Sequence, residues 1–177
     1  MIRTNEDQST PLLRASLGMQ SGPARTLLLR LPGIPLQRII VGISARQLLG
    51  LQPADAFAPW PADPPRWMGV VEWSGRQVQV VDLASCLGLG ASDYRMARRL
   101  AFLRCPRSPG VIAVPAMGEM IQLENTDDAR PAAAEPRLAA EFIRGVFHLG
   151  SELLLIPDLD AIWTRVLHPA PGGGHRI

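Results

Sequence analysis

Two aspartates invite a chemical reading first. Asp82 and Asp158 stand 76 residues apart, each after a branched-aliphatic run and directly before a leucine. Paired carboxylates serve acid/base chemistry or hold a cation in many sites. Each of these two also opens a short segment of helical pattern. A carboxylate there accepts unpartnered backbone N–H groups and meets the positive end of the helix dipole. Capping is therefore the expected role of both. Asp127-Asp128 and Asp158/Asp160 lack calcium-loop spacing. Of the three histidines, His168 and His175 lie in or beside a Pro/Gly-rich stretch, and His148 lies on a predicted strand. A satisfied or surface-facing strand histidine is expected at 148 rather than a general base. Cys86 and Cys105 have neither disulfide-framework nor metal-ligand spacing and read as small buried hydrophobes in a reducing compartment. No serine or cysteine sits in a nucleophile elbow, and no glycine-rich turn joins a strand to a helix in phosphate-loop fashion. The expectation is a protein with no catalytic residue, no metal and no cofactor.

Two further groups could recognise a partner. Arg95, Arg98, Arg99, Arg104 and Arg107 form the one basic concentration, read as a solvated hairpin face, as a site for an acidic protein partner, or as a site for another anion, nucleic acid included. Only Tyr94 and Phe102 interleave it, too few aromatics for a base-stacking surface. Every Lys/Arg residue of the chain is Arg and the net charge is +2, so the arginine count follows composition more than phosphate recognition. Trp60, Trp67 and Trp73 gather around a Pro-rich crossing, either at core edges or as exposed anchors. Trp73, just before a predicted turn, is the best interface candidate among them.

The elements that must position these groups are short. The 177 residues are 47% hydrophobic but only 5% aromatic, so aliphatic side chains fill the core. Residues 1–24 read as a flexible tail, with a short helix around Leu12–Leu17, and 168–177 as a second tail. Met1–Asp7 has no signal-peptide core, and no apolar run approaches a membrane span, so a cytoplasmic protein is expected. Within 25–167, Thr26–Leu31 and Arg38–Ile43 read as strands, and Ala45–Leu49 as a strand or a single helical turn. A crossing with five prolines between Pro53 and Pro65 follows. Met68–Trp73 and Arg76–Val81 form a hairpin about Ser74-Gly75, then a helix over Asp82–Leu89. Leu100–Arg104, Gly110–Val114 and Glu119–Leu123 are strands, and Asn125–Pro136 a loop. Phe142–Leu149 and Glu152–Ile156 form a second hairpin, before a helix over Asp158–Leu167.

The two hairpins coincide. Gly69–Leu83 lies over Gly145–Leu159 at a constant offset of 76 without a gap, and Gly, Val, Asp and Leu match in place. Hairpin, turn, aspartate cap and helix recur in order, as in a duplicated unit. Two small barrels or sheets closing on a shared core follow, which also hides the edges of many short strands.

These residues resemble a known family. Gly69-Val70-Val71-Glu72-Trp73-Ser74-Gly75 followed by Val78-Gln79-Val80-Val81-Asp82-Leu83 is similar to the signature stretch of CheW-like domains, roughly Gly-Val-x-Asn-Leu-Arg-Gly and Val-Pro-Val-Val-Asp-Leu. Gly110–Met117, Phe142–Val146 and Leu155–Asp160 resemble further family segments in the right order, and Ala45–Leu49 stands where a Val-x-Glu-Ile segment falls. The resemblance spans 25–167. It implies an all-β fold of two five-stranded SH3-like barrels on a common core. It implies a non-catalytic adaptor coupling the cytoplasmic tip of a chemoreceptor to a CheA-type histidine kinase, in swimming chemotaxis or type IV pilus twitching. The kinase would take one face of the first barrel and the receptor the groove between barrels. Partner-binding residues carried over are Gln47, Glu72, Trp73, Ser74, Gly75 and Arg76. Several polar positions depart from the pattern: the family's arginine is Ser74, its strand proline Gln79, its later aspartate Pro115 and its kinase-side glutamate Gln47. The scaffold positions are kept better than the partner-reading ones.

Overall fold

The computed structural model describes residues 9–16, 25–34, 39–59, 66–123, 128–133 and 135–168. Among these residues are ten strands and a few short helices. The strands are β1 (Thr26–Arg30), β2 (Ile39–Ser44), β3 (Leu48–Pro53), β4 (Trp67–Trp73), β5 (Arg76–Val81), β6 (Arg99–Arg104), β7 (Val111–Leu123), β8 (Ala129–Pro131), β9 (Ile143–Leu149) and β10 (Glu152–Pro157). The helices are α1 (Ser9–Ser16), α2 (Leu83–Cys86) and α3 (Leu159–Ile162), the last continued by a π-turn over Trp163–Leu167.

The strands form two units with one pairing scheme. The first runs β3-β6-β7-β5-β4, antiparallel throughout except for the parallel β7/β5 pair. The second runs β7-β1-β2-β10-β9, again antiparallel except for the parallel β2/β10 pair. The duplication seen in the hairpins thus extends to five strands in the same order and sense. The units are not consecutive in the chain. β1 and β2 belong with the C-terminal hairpin, and Leu100–Val114 belongs with the first.

β7 serves both units. Val111–Ala116 pairs with β6, and Met117–Leu123 pairs with β1. The two strands expected over 110–123 are therefore one strand of 13 residues. Pro115 is tolerated inside it for a local reason. The Ala116 carbonyl accepts from Arg98 N–H, so strand alternation turns the Pro115 nitrogen away from β6, where β5 has ended and β1 has not begun.

Alternation also explains the core. On β2, Ile39, Val41 and Ile43 enter a central core, whereas Ile40 enters the core of the second unit. β10 divides likewise, Leu153 and Leu155 from Leu154 and Ile156. On β6, Ala101 and Leu103 face the central core, and Leu100 and Phe102 face that of the first unit. Strands covered on both faces read as unbroken apolar runs rather than alternating ones. Each fully buried aliphatic chain contributes about 1.5–3 kcal/mol. The central core takes side chains from both units and from α2 and α3, so it joins them.

Other expectations need correction. The N-terminal segment is not loose throughout: α1 buries Leu13 completely among Leu28, Ile40, Phe147 and Leu154, and Ser16 Oγ donates to the Arg144 carbonyl at 3.3 Å. The loop read over 125–136 holds β8, paired with β9. Residues 1–8, 17–24 and 169–177 of the expected tails, and Trp60, lie outside the described residues.

Candidate functional site

The first hairpin turn is exposed. Trp73 and Arg76 face each other across a two-residue turn whose central residues are both left-handed, Ser74 at φ 50° and Gly75 at φ 73°. That is the I′ geometry that matches strand twist. Glu72, Ser74, Gly75 and Arg76 all face solvent. Trp73 is half-buried at a core edge, one of the two places the sequence allowed it. Its ring stacks on Phe102 with centroids 4.8 Å apart and planes 14° from parallel, and it covers Gly50 of β3. β3 and β4 end the strand order of this unit, so the indole closes the seam between its two edges. Gln47 is also drawn inward. Its side-chain oxygen accepts from Ser44 N–H at 2.8 Å, and its carbonyl accepts from Arg104 N–H at 2.8 Å. It shapes the turn between β2 and β3.

The aspartates cap, as their position requires. Asp82 accepts from Ser85 N–H at 3.2 Å and from Ser92 N–H at 2.9 Å. Asp158 accepts from Ala161 N–H at 3.0 Å. Sequence reasoning missed what surrounds the second cap. Asp160 is buried and accepts from Arg107 N–H at 2.8 Å, Arg107 Nε at 3.3 Å and Arg144 at 3.3 Å. Arg144 also reaches Asp158 at 3.2 Å. Burial pushes the Asp158 carboxyl up, but the Ala161 N–H and Arg144 hold it below its usual value. Because Arg107 lies on the β6–β7 connection, this network ties the first unit to α3. The ring of Trp163 on the adjoining π-turn lies against Gly110 of the same connection. The signal available in the sequence was the repeat itself: Arg144 and Asp160 stand where the first copy has Met68 and Ala84.

Catalytic alternatives do not assemble. His148 is exposed near the turn of its hairpin, opposite Leu153, whereas Asp158 follows the far end, where Pro157 faces Ile143. About five strand rises, ~17 Å, separate them. Burial pushes both thiols, Cys86 and Cys105, up to about 12, far from the range of a reactive cysteine. Among the described residues no three His, Cys, Asp or Glu side chains gather to hold a metal, and no helix is long and apolar enough to cross a membrane.

The basic run disperses. Arg99 and Arg104 lie at opposite ends of β6, Arg107 is engaged by Asp158 and Asp160, and Arg95 folds onto Asp93 at 2.9 Å. The single anion-binding face read from Arg95–Arg107 does not form. What forms is a groove of about 730 Å³. Pairing of β3 with β6 sets Pro53 opposite Arg99, which brings the 53–57 turn beside the 94–99 segment. Phe57 and Tyr94 give the groove apolar walls, Arg98 and Arg99 line its basic side, and Gly118 marks the passage of β7 between units. Sequence reading did not place this groove, because its two sides meet only through strand pairing.

A family model described as the CheW-like domain matches residues 34–166. The chain is 21% identical over 123 residues to a probable chemotaxis protein CheW of Rhizobium etli, covering 70% of this chain and 77% of that protein. It superposes on the crystal structure of the scaffolding protein TtCheW from Thermoanaerobacter tengcongensis with a TM-score of 0.58 at 14% identity, covering 79% of this chain and 87% of that one. With the doubled five-strand unit, the shared core and the family match in agreement, this chain belongs to the CheW-like domain family.

Proposed function

We propose that this chain is a non-catalytic adaptor that couples the cytoplasmic tip of a chemoreceptor to a CheA-type histidine kinase, in swimming or twitching motility. The observation that carries the reading is the family match over 34–166 on a fold of two like units around one core. Adaptors need rigid faces at fixed relative positions, and the central core and β7 supply that rigidity. The exposed turn Glu72-Trp73-Ser74-Gly75-Arg76 lies on the first unit and is the proposed kinase- or receptor-reading element, with Glu72 and Arg76 as its charged contacts. Trp73 and Gln47 support it from behind. An adaptor of this kind works on the cytoplasmic side without inserting into the membrane.

The direct test is co-purification with the CheA-type kinases and receptors of the same genome. Recovery of a kinase–adaptor–receptor complex is expected. Binding to none of them would overturn the reading. Within a complex, the charge swap Glu72→Arg with Arg76→Glu should weaken binding severalfold while circular dichroism stays unchanged.

A further inference from the structure

We infer that the groove between the 53–57 turn and the 94–99 segment binds an acidic, apolar-bearing segment of a partner protein. The inference deepens the adaptor reading and rests on it.

The basic side of the groove is uncommitted. Arg95 is neutralised locally by Asp93. Arg98 and Arg99 line the groove, and neither has a side-chain hydrogen bond or ion pair among the described residues. Among the described lining residues Asp55 is the one acid, against Arg95, Arg98 and Arg99, so these residues hold an excess of positive charge. The apolar part is equally specific. Tyr94 is 37% exposed at the rim, and Phe57 is buried beneath at 9%. The rim is built rather than loose. Asp93 caps its turn through Arg95 N–H, and Asp93 N–H donates to the Pro32 carbonyl at 3.1 Å. A second hollow of about 440 Å³ flanks Tyr94 on the 91–95 side, so the tyrosine stands as a ridge between two depressions.

A carboxylate-bearing peptide fits this pattern. Arginine pairs with carboxylates in a bidentate manner, and an apolar side chain beside Tyr94 would displace water from the hollow. A nucleic acid fits it worse. A phosphate backbone needs a basic track with stacked aromatics, whereas here Phe57 is buried, leaving Tyr94 as the exposed aromatic among the described lining residues, and Arg104 and Arg107 lie elsewhere.

The test uses the full chain and synthetic peptides alternating glutamate or lysine with leucine, labelled for fluorescence anisotropy, and an oligothymidylate of matched charge. The Glu/Leu peptide should bind with affinity that falls as salt rises. Arg98→Glu with Arg99→Glu should weaken it about tenfold, while Arg104→Glu, at the other end of β6, leaves it unchanged. The reversed groove should gain the Lys/Leu peptide. Equal binding of the Glu/Leu peptide to wild type and the double variant would overturn the inference, as would tighter binding of the oligothymidylate with the same dependence on Arg98 and Arg99. Peptide binding without any kinase or receptor binding sinks the adaptor reading alone. Kinase and receptor binding with no peptide binding sinks the groove alone.

Discussion

The two hairpin units share a backbone plan but are secured in different ways. In the first, the positions equivalent to Arg144 and Asp160 are Met68 and Ala84, both buried, and α2 is held by apolar contacts and a capped N-terminus. In the second, the same two positions carry an ion pair that also recruits Arg107 and Asp158. The turns differ as well. The first places a serine at φ 50°, and the second places Gly150 at φ 60° ahead of Ser151. One fold thus tolerates either an apolar or an ionic solution at one register, provided each is complete. Half an ionic solution is the costly state, since it strands a charge away from water.

That contrast is open to direct attack. Asp160→Ala alone should cost about 3 kcal/mol, because it leaves Arg144 with Asp158 as its remaining carboxylate partner and the Arg107 N–H without its acceptor. Arg144→Met combined with Asp160→Ala, which copies the first unit, should recover most of that loss. Urea denaturation of the single and double variants decides it, and equal losses would show that the two sites are not interchangeable. The next largest effect falls on the seam. Trp73→Ala should cost about 2 kcal/mol by uncovering Phe102 and Gly50, whereas Leu149→Ala, at the equivalent place in the second hairpin, should cost less. A Trp73→Ala variant with unchanged denaturation would return that ring to the binding surface.

Acid should act on the second unit. The folded carboxyl of Asp158 titrates below its ordinary value, so its stabilisation is full above the unfolded aspartate's pKa of about 3.9 and is lost as pH falls through the lower folded value. Asp158→Asn should therefore flatten the decline in thermal midpoint below about pH 4. An unaltered decline would assign it to other carboxylates. The smallest effect belongs to the turn. Ser74→Asn should stabilise by about 0.5 kcal/mol, because asparagine accepts the left-handed conformation more readily. A loss instead would mean that the serine hydroxyl contributes something the turn geometry does not explain.

Local features were legible in the sequence. The Ser74-Gly75 and Gly150-Ser151 turns, both hairpins and both aspartate caps follow from side-chain chemistry acting over a few residues, and the family resemblance rests on the same stretches. Features set by distant partners were not. The parallel pairing of β2 with β10 joins Ile39 to Leu153, and nothing near either residue announces it. β8 is three residues long and is defined only by β9. Leu13 is one leucine in a polar segment until the open end of the second unit gives it a pocket. At the site, nothing near Trp73 announces its stacking on Phe102, 29 positions away. The groove was missed because Pro53 and Arg99 meet only once β3 finds β6.

The interleaving of the units has a consequence for synthesis. Every strand of the first unit lies between residues 48 and 123, so it becomes complete while the C-terminal hairpin is still unmade. β1 and β2 emerge earliest, yet β2 has one of its edges unpaired until β10 arrives. For most of translation the nascent chain therefore carries an exposed aliphatic strand, Ile39-Ile40-Val41, beside a finished half. Such an edge invites pairing with other chains. A ribosome stalled before residue 152, or a truncation there, should release a protein whose first unit is folded and whose N-terminal hairpin aggregates.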